Sequence, residues 1–167
     1  MRYVITQGEF CTSDDPNATI FTLLGSCVAC CLWDPVAKVG GMNHILLAQG
    51  PGATGDRPNL AGLNAMELLI NGLLKLGAQR RRLQAKAFGG AQMVSGLSDI
   101  GPENAGFLMQ FLMRERIVCV SESLGGTSAR QVIFHPTTGE ARVKMDTTSK
   151  VAPVQPQADT GNDLELF

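Results

Sequence analysis

Cys27-Val28-Ala29-Cys30-Cys31-Leu32-Trp33-Asp34 is an apolar run that stops at Pro35-Val36-Ala37-Lys38. A second run follows, Val39-Gly40-Gly41-Met42-Asn43-His44-Ile45-Leu46-Leu47. Two apolar runs around an Asp-Pro turn predict a β-hairpin, because proline presets the turn's φ and cannot extend the first strand. If the hairpin turns about Pro35-Val36, Trp33 faces Lys38, Leu32 faces Val39 and Cys27 faces His44. Directly opposed Cβ atoms lie roughly 4.5–5.5 Å apart, close enough for a thiol and an imidazole to exchange a proton. One residue of slip would turn His44 to the opposite face. An imidazole so placed lowers the thiol's pKa and later returns the proton to a leaving group. Gly25-Ser26, just before Cys27, allows a bend that exposes the thiol and aims backbone N–H groups at a developing oxyanion.

Upstream, Ala18–Leu24 is apolar and partly β-branched, so it reads as a strand. Residues 1–10 read as a short strand and Thr12–Asn17, with its Asp, Pro and Asn, as a loop. Downstream, Gln49–Pro58 is rich in Gly and Pro and reads as an exposed loop. Leu60, Leu63, Met66, Leu69, Ile70, Leu73 and Leu74 then recur at helical spacing, with Asn59 as N-cap and Gly77 as stop. Arg80-Arg81-Arg82 reads as a solvated corner, the other reading being a complement to the helix's negative end. Leu83–Phe88 turns to strand. Pro102 reads as the first turn of a second helix, which carries Phe107, Leu108, Phe111 and Leu112. Ile117–Val120 is a buried strand, and Gln131–Phe134 with Ala141–Lys144 flank a second turn. The apolar pattern ends after Met145, so residues 1–146 read as one domain and 147–167 as a flexible tail. Hairpins and helices without regular βαβα alternation predict an α+β fold: layered sheets built from β-hairpins, with two principal helices.

The 167 residues carry 14 Lys and Arg against 15 Asp and Glu, which excludes the broad basic footprint of a nucleic-acid binder. With 44% apolar and 17% charged residues, the chain can bury a core and is not a disordered one. No apolar run reaches the roughly 18–20 residues that span a bilayer, and Met1–Thr6 lacks a signal pattern, so no membrane insertion and a cytoplasmic location are expected. Five cysteines, an odd number, argue against a disulfide framework. Cys30, Cys31 and Cys119 sit in apolar runs as ordinary small hydrophobes, and Cys11 lies beside polar loop residues. Cys27 and Cys30 form a C-x-x-C, but no βαβ unit surrounds it as a redox motif requires. A zinc site from Cys27, Cys30, Cys31 and His44 would need both faces of one strand. His135, beside Pro136, reads as a surface or edge histidine. No phosphate loop, HExxH or Ser-centred elbow occurs.

Leu24-Gly25-Ser26-Cys27-Val28-Ala29, followed by Asp34-Pro35-Val36-Ala37-Lys38-Val39-Gly40-Gly41-Met42-Asn43-His44, resembles the CheD family of chemoreceptor glutamine deamidases. The resemblance continues through Ala65-Met66-Glu67, Gly77-Ala78, Arg82–Lys86, Phe88–Met93, Ile100-Gly101, Asn104, Leu124-Gly125-Gly126 and Arg130, covering about residues 1–145. It implies an amidohydrolase that converts particular glutamines of methyl-accepting chemotaxis receptors to glutamate and releases ammonia. The family's nucleophile falls on Cys27, its histidine on His44 and its threonine on Thr22. Gly25 and Ser26 would supply backbone support for the oxyanion. A thiolate nucleophile calls for no cofactor and no metal. The implied fold is α+β and shared with a bacterial toxin deamidase domain. The implied partners are receptor cytoplasmic domains as substrate and a CheC-type phosphatase. The same thioester chemistry extends to receptor methyl esters. The alternative is a non-catalytic adaptor that docks on receptors or a phosphatase, and ammonia release separates the two. Pro102 and Glu103 stand where the family commonly has a small residue and Arg, and Ser123 where an acidic residue often precedes Gly-Gly. Both departures bear on partner contacts more than on chemistry.

Overall fold

In the computed structural model, which describes residues 1–47, 59–93, 99–146 and 164–167, the strand Val28–Asp34 is buried along its whole length. Val28, Cys30 and Leu32 pack toward the helices, whereas Ala29, Cys31 and Trp33 pack toward a second sheet. A strand covered on both faces reads as a continuous apolar run, which accounts for the absence of polar alternation in this stretch.

The described strands are β1 (Arg2–Val4), β2 (Phe10–Ser13), β3 (Thr19–Leu24), β4 (Val28–Asp34), β5 (Val39–Asn43), β6 (Gln84–Gly89), β7 (Val118–Leu124), β8 (Ala129–Phe134), β9 (Ala141–Asp146) and β10 (Leu164–Leu166). They form two five-stranded mixed sheets, ordered β1-β3-β8-β9-β10 and β2-β5-β4-β6-β7. Helices α1 (Leu60–Lys75) and α2 (Ile100–Arg114) cover the outer face of the second sheet. The order of layers is therefore sheet, sheet, helices, the α+β arrangement expected from the sequence. Asn59 caps α1 by accepting from the Gly62 N–H at 3.3 Å, and Gly77 takes φ 101 at its end, as expected.

The hairpin forms, but its register differs from the expected one by two residues. Asp34 pairs with Val39, Leu32 with Gly41 and Cys31 with Met42. The cause is Asp34. Its Oδ1 accepts from the amides of Val36 (2.9 Å) and Ala37 (3.1 Å), its carbonyl accepts from Lys38 N–H (2.9 Å), and Lys38 takes φ 56. The turn therefore holds four residues rather than two. A shift of two preserves the face on which every side chain lies.

Other elements differ from expectation too. Thr12 and Ser13, read as the start of a loop, lie in β2 opposite Gly41 and Gly40. Within the arginine run, only Arg80 and Arg81 behave as a solvated corner. The Arg82 guanidinium forks onto the fully buried Asp34, with Nε at 2.9 and 3.0 Å from its two oxygens. Helix α2 begins at Ile100 with Pro102 in its first turn, as expected. The expected 49–58 loop falls outside the described residues, as does most of the expected tail. At the end of that tail Leu164–Leu166 pairs with β9, and the Phe167 ring meets Phe88 edge-on at 5.7 Å.

Candidate active site

Strand β3 ends in one sheet and β4 starts in the other, so Gly25-Ser26-Cys27 is the crossing between them. All three carbonyls of the crossing are anchored. Gly25 O accepts from Ala91 N–H (3.0 Å), Ser26 O from Asn104 Nδ2 (2.8 Å) and Cys27 O from Gly90 N–H (2.9 Å). In a planar trans peptide the C=O and the following N–H point in opposite directions. The N–H groups of Ser26 and Cys27 therefore point away from these anchors, and neither bonds to a described residue.

The anchoring loop is itself built for close approach. Gly89 takes φ 108, and a side chain there would collide with the Cys27 carbonyl. Arg130, buried, braces the loop by donating to Gly89 O (3.3 Å), Gly125 O (2.8 Å) and Ser123 Oγ (3.1 Å).

Thr22 lies fully buried on β3, and His44 follows β5 in the facing sheet. Thr22 Oγ1 is 2.7 Å from His44 Nδ1 and donates its own proton to Ile5 O at 2.8 Å. A hydroxyl has one proton to give. Thr22 must therefore accept from an Nδ1–H, which assigns the tautomer and leaves a lone pair on His44 Nε2. The His44 backbone is held as well, its N–H donating to Glu9 O (3.0 Å) and its carbonyl accepting from Gly8 N–H (2.9 Å).

Val28 and Ile45 exchange both backbone hydrogen bonds, at 3.1 and 2.7 Å. Cys27 and His44 each precede one member of that pair, so they are diagonal rather than directly opposed. Diagonal α-carbons in an antiparallel pair lie roughly 7–8 Å apart, a span that long side chains bridge. Cys27 is half-buried and packs toward the space between the sheets, the same space that Thr22 and His44 share. Cys30 packs on the opposite face, and Cys31 and Cys30 are both fully buried. Cys11 and Cys119 are half-buried, and His135 lies in the β8–β9 turn. Among the described residues, no three His, Cys, Asp or Glu side chains gather to hold a metal ion.

Burial pushes the Cys27 thiol above its ordinary pKa. Burial also pulls the His44 imidazole down, with the Glu9 carboxylate pushing it back upward. Both directions run against the depressed thiol expected from spacing. Desolvation penalises both charged forms, and a neutral ring offers no positive charge to stabilise a thiolate. Spacing also missed the parts played by Asn104 and Arg130. Both occur among the family-like positions, but no local pattern says which backbone groups they will hold.

The family model for CheD chemotactic sensory transduction matches residues 47–145. The "Probable chemoreceptor glutamine deamidase CheD" of Agrobacterium fabrum is 47% identical over 174 residues, covering 99% of this chain and 96% of its own. The protein of the same name from Rhizobium leguminosarum bv. trifolii is 54% identical over 177 residues, with the same coverage. The chain belongs to the CheD family. The CheD relatives match it nearly end to end, so the matched span includes the stretch from Gly25 to His44, which lies outside the residues of the family model. Among solved structures, a Neisseria meningitidis protein of the DUF152 family model matches this CheD chain at 9% identity with a TM-score of 0.45, covering 70% of this chain and 53% of its own.

Proposed function

We propose that this CheD protein hydrolyses the side-chain amide of specific glutamines in the cytoplasmic domains of methyl-accepting chemotaxis receptors. The products are glutamate and ammonia, and the intermediate is a thioester on Cys27. The observation that carries the proposal is the Thr22–His44 hydrogen bond at 2.7 Å, which presents Nε2 as a base beside the Gly25–Cys27 crossing. The names of the CheD relatives support the substrate class.

As Cys27 Sγ bonds to the amide carbon, His44 Nε2 accepts the thiol proton. The carbonyl electron pair moves to oxygen, and the N–H groups of Ser26 and Cys27 donate to the resulting oxyanion. Collapse breaks the C–N bond, and the imidazolium proton leaves with nitrogen as ammonia. Water then adds to the thioester with His44 Nε2 as base, releasing glutamate and restoring the thiol. Sulfur supplies the nucleophile and the imidazole moves the protons, so the cycle uses no cofactor. The same acyl transfer applies to a receptor methyl ester, which makes methylesterase a side activity of the site. A CheC-type phosphatase is the further partner that the family resemblance implies, and the cytoplasm is where the receptor domains would meet the enzyme.

Incubation with a purified receptor cytoplasmic domain tests the proposal. Particular glutamine peptides should shift to the mass of their glutamate forms, with one ammonia released for each conversion. Receptor binding without ammonia or mass change would replace this reading with the adaptor. Thr22→Val, nearly isosteric, takes away the acceptor for Nδ1–H. It should lower kcat by about 10²-fold with KM little changed, since a misaimed base affects the chemical step. A kcat near wild type in steady-state ammonia assays would remove Thr22 from the mechanism.

A further inference from the structure

Of the three anchored carbonyls in the crossing, only that of Ser26 is held by a side chain. Gly25 O and Cys27 O are held by main-chain amides of Ala91 and Gly90. The Ser26 carbonyl belongs to the same peptide plane as the Cys27 N–H, so whatever holds the carbonyl aims that N–H. The group that holds it is Asn104 Nδ2 at 2.8 Å.

Asn104 is fully buried on α2. Its other end accepts from Leu47 N–H at 3.0 Å, three residues beyond His44. The two contacts fix the orientation of the amide, because a flipped side chain would set donor against donor and acceptor against acceptor. The carboxamide therefore links the nucleophile's peptide to the chain that carries the base. Helix α2 comes close enough for this because of Gly101, where a side chain would collide with the Ala91 carbonyl. Asn104 follows one turn later.

We infer that Asn104 is a positioning residue for the oxyanion site: its carboxamide holds the Ser26–Cys27 peptide so that the Cys27 N–H faces the developing negative charge. The inference rests on the thioester reading above but not on glutamine as the substrate. Without Nδ2, the Ser26 carbonyl loses its described partner and the peptide plane is free to rotate.

The test compares two reactions of Cys27 in the full chain. Acylation by p-nitrophenyl acetate passes through a tetrahedral oxyanion, whereas alkylation by iodoacetamide displaces iodide at a saturated carbon and forms none. Asn104→Asp keeps an acceptor for Leu47 N–H but turns an oxygen toward Ser26 O. Asn104→Ala removes the donor without adding charge, and covers the case in which the buried aspartate prevents folding. In a variant that melts as wild type does, acylation of Cys27, read as the p-nitrophenolate burst and confirmed by mass, should slow about 10²-fold. Alkylation should keep its wild-type rate and pH profile. Acylation at the wild-type rate, an equal loss of both reactions, or a wild-type protein that is never acylated at Cys27 would overturn the inference. Wild type that acylates but releases no ammonia from receptor leaves Asn104 in its role and removes the glutamine reading. Asn104 variants that lose ammonia release but not acylation do the reverse.

Discussion

Cys27→Ala is expected to cut ammonia release from receptor glutamines by at least about 10⁴-fold, the scale on which loss of a nucleophile collapses acyl transfer to background. The backbone of the crossing should survive the change. Its anchors are the carbonyls of Gly25, Ser26 and Cys27, all of which alanine keeps. The Cys27 side chain is half-buried and makes no hydrogen bond to a described residue. Thermal stability should therefore fall by about 1 kcal/mol or less, and receptor binding should persist. Cys27→Ser is expected to fall nearly as far. A serine hydroxyl is a far weaker acid than a thiol, and the neutral His44 imidazole is a modest base in a site that already disfavours charge. Ammonia release by Cys27→Ala at even a tenth of the wild-type rate would move the nucleophile elsewhere. The half-buried Cys11 and Cys119 would then be next to examine, since Cys30 and Cys31 are sealed from substrate.

Much of this site is legible in the linear chain because β-hairpins are local. The Asp34-Pro35 turn announces the two strands, and their pairing carries Cys27 and His44 to one face. Register is less legible. The Asp34 side chain competes with the backbone for the turn amides and enlarges the turn, which moves His44 from opposite Cys27 to diagonal from it. The two side chains stay on one face because side chains on a strand alternate with period two, and the shift is two. Non-local features leave no such trace. Thr12 and Ser13 look like loop residues until β5 offers them an edge to pair with. Arg82 looks solvated until the fold sets it against Asp34, 48 residues earlier in sequence. Asn104 reaches Ser26 across 78 residues and bonds to a backbone carbonyl, a group that every residue carries and that spacing cannot single out. Desolvation leaves no local trace either. Neighbouring residue types say nothing of burial, and desolvation by the two sheets pushes the Cys27 thiol up and the His44 imidazole down.

Asp34→Ala is expected to destabilise the fold by about 3 kcal/mol, the low end of the cost of breaking a buried charge pair, because the Arg82 left behind is partly exposed. The carboxylate is fully buried. Burial alone would push its pKa up, but the Arg82 guanidinium and then the amides of Gln79, Ala37 and Val36 overcome that and hold it at about 2. Against an unfolded value of about 4, the folded carboxyl is depressed. Its contribution is fully present above about pH 4 and is lost as the pH falls toward about 2, amounting to about 2–3 kcal/mol over that window. Urea denaturation at a series of pH values separates this from the other carboxylates. Wild type should lose stability between about pH 4 and 2 more steeply than Asp34→Ala, and the gap between the two curves should narrow by about 2–3 kcal/mol toward the acid end. Parallel curves would mean that Asp34 is not the group that titrates. At neutral pH the loss of stability should exceed any loss of kcat per folded molecule. Asp34 sits at the turn end of the hairpin, whereas the Val28–Ile45 bridge and the Thr22–His44 hydrogen bond sit at the other end and touch neither Asp34 nor Arg82. A variant that stays folded yet loses kcat as Thr22→Val does would show instead that the turn's register sets the geometry between Cys27 and His44.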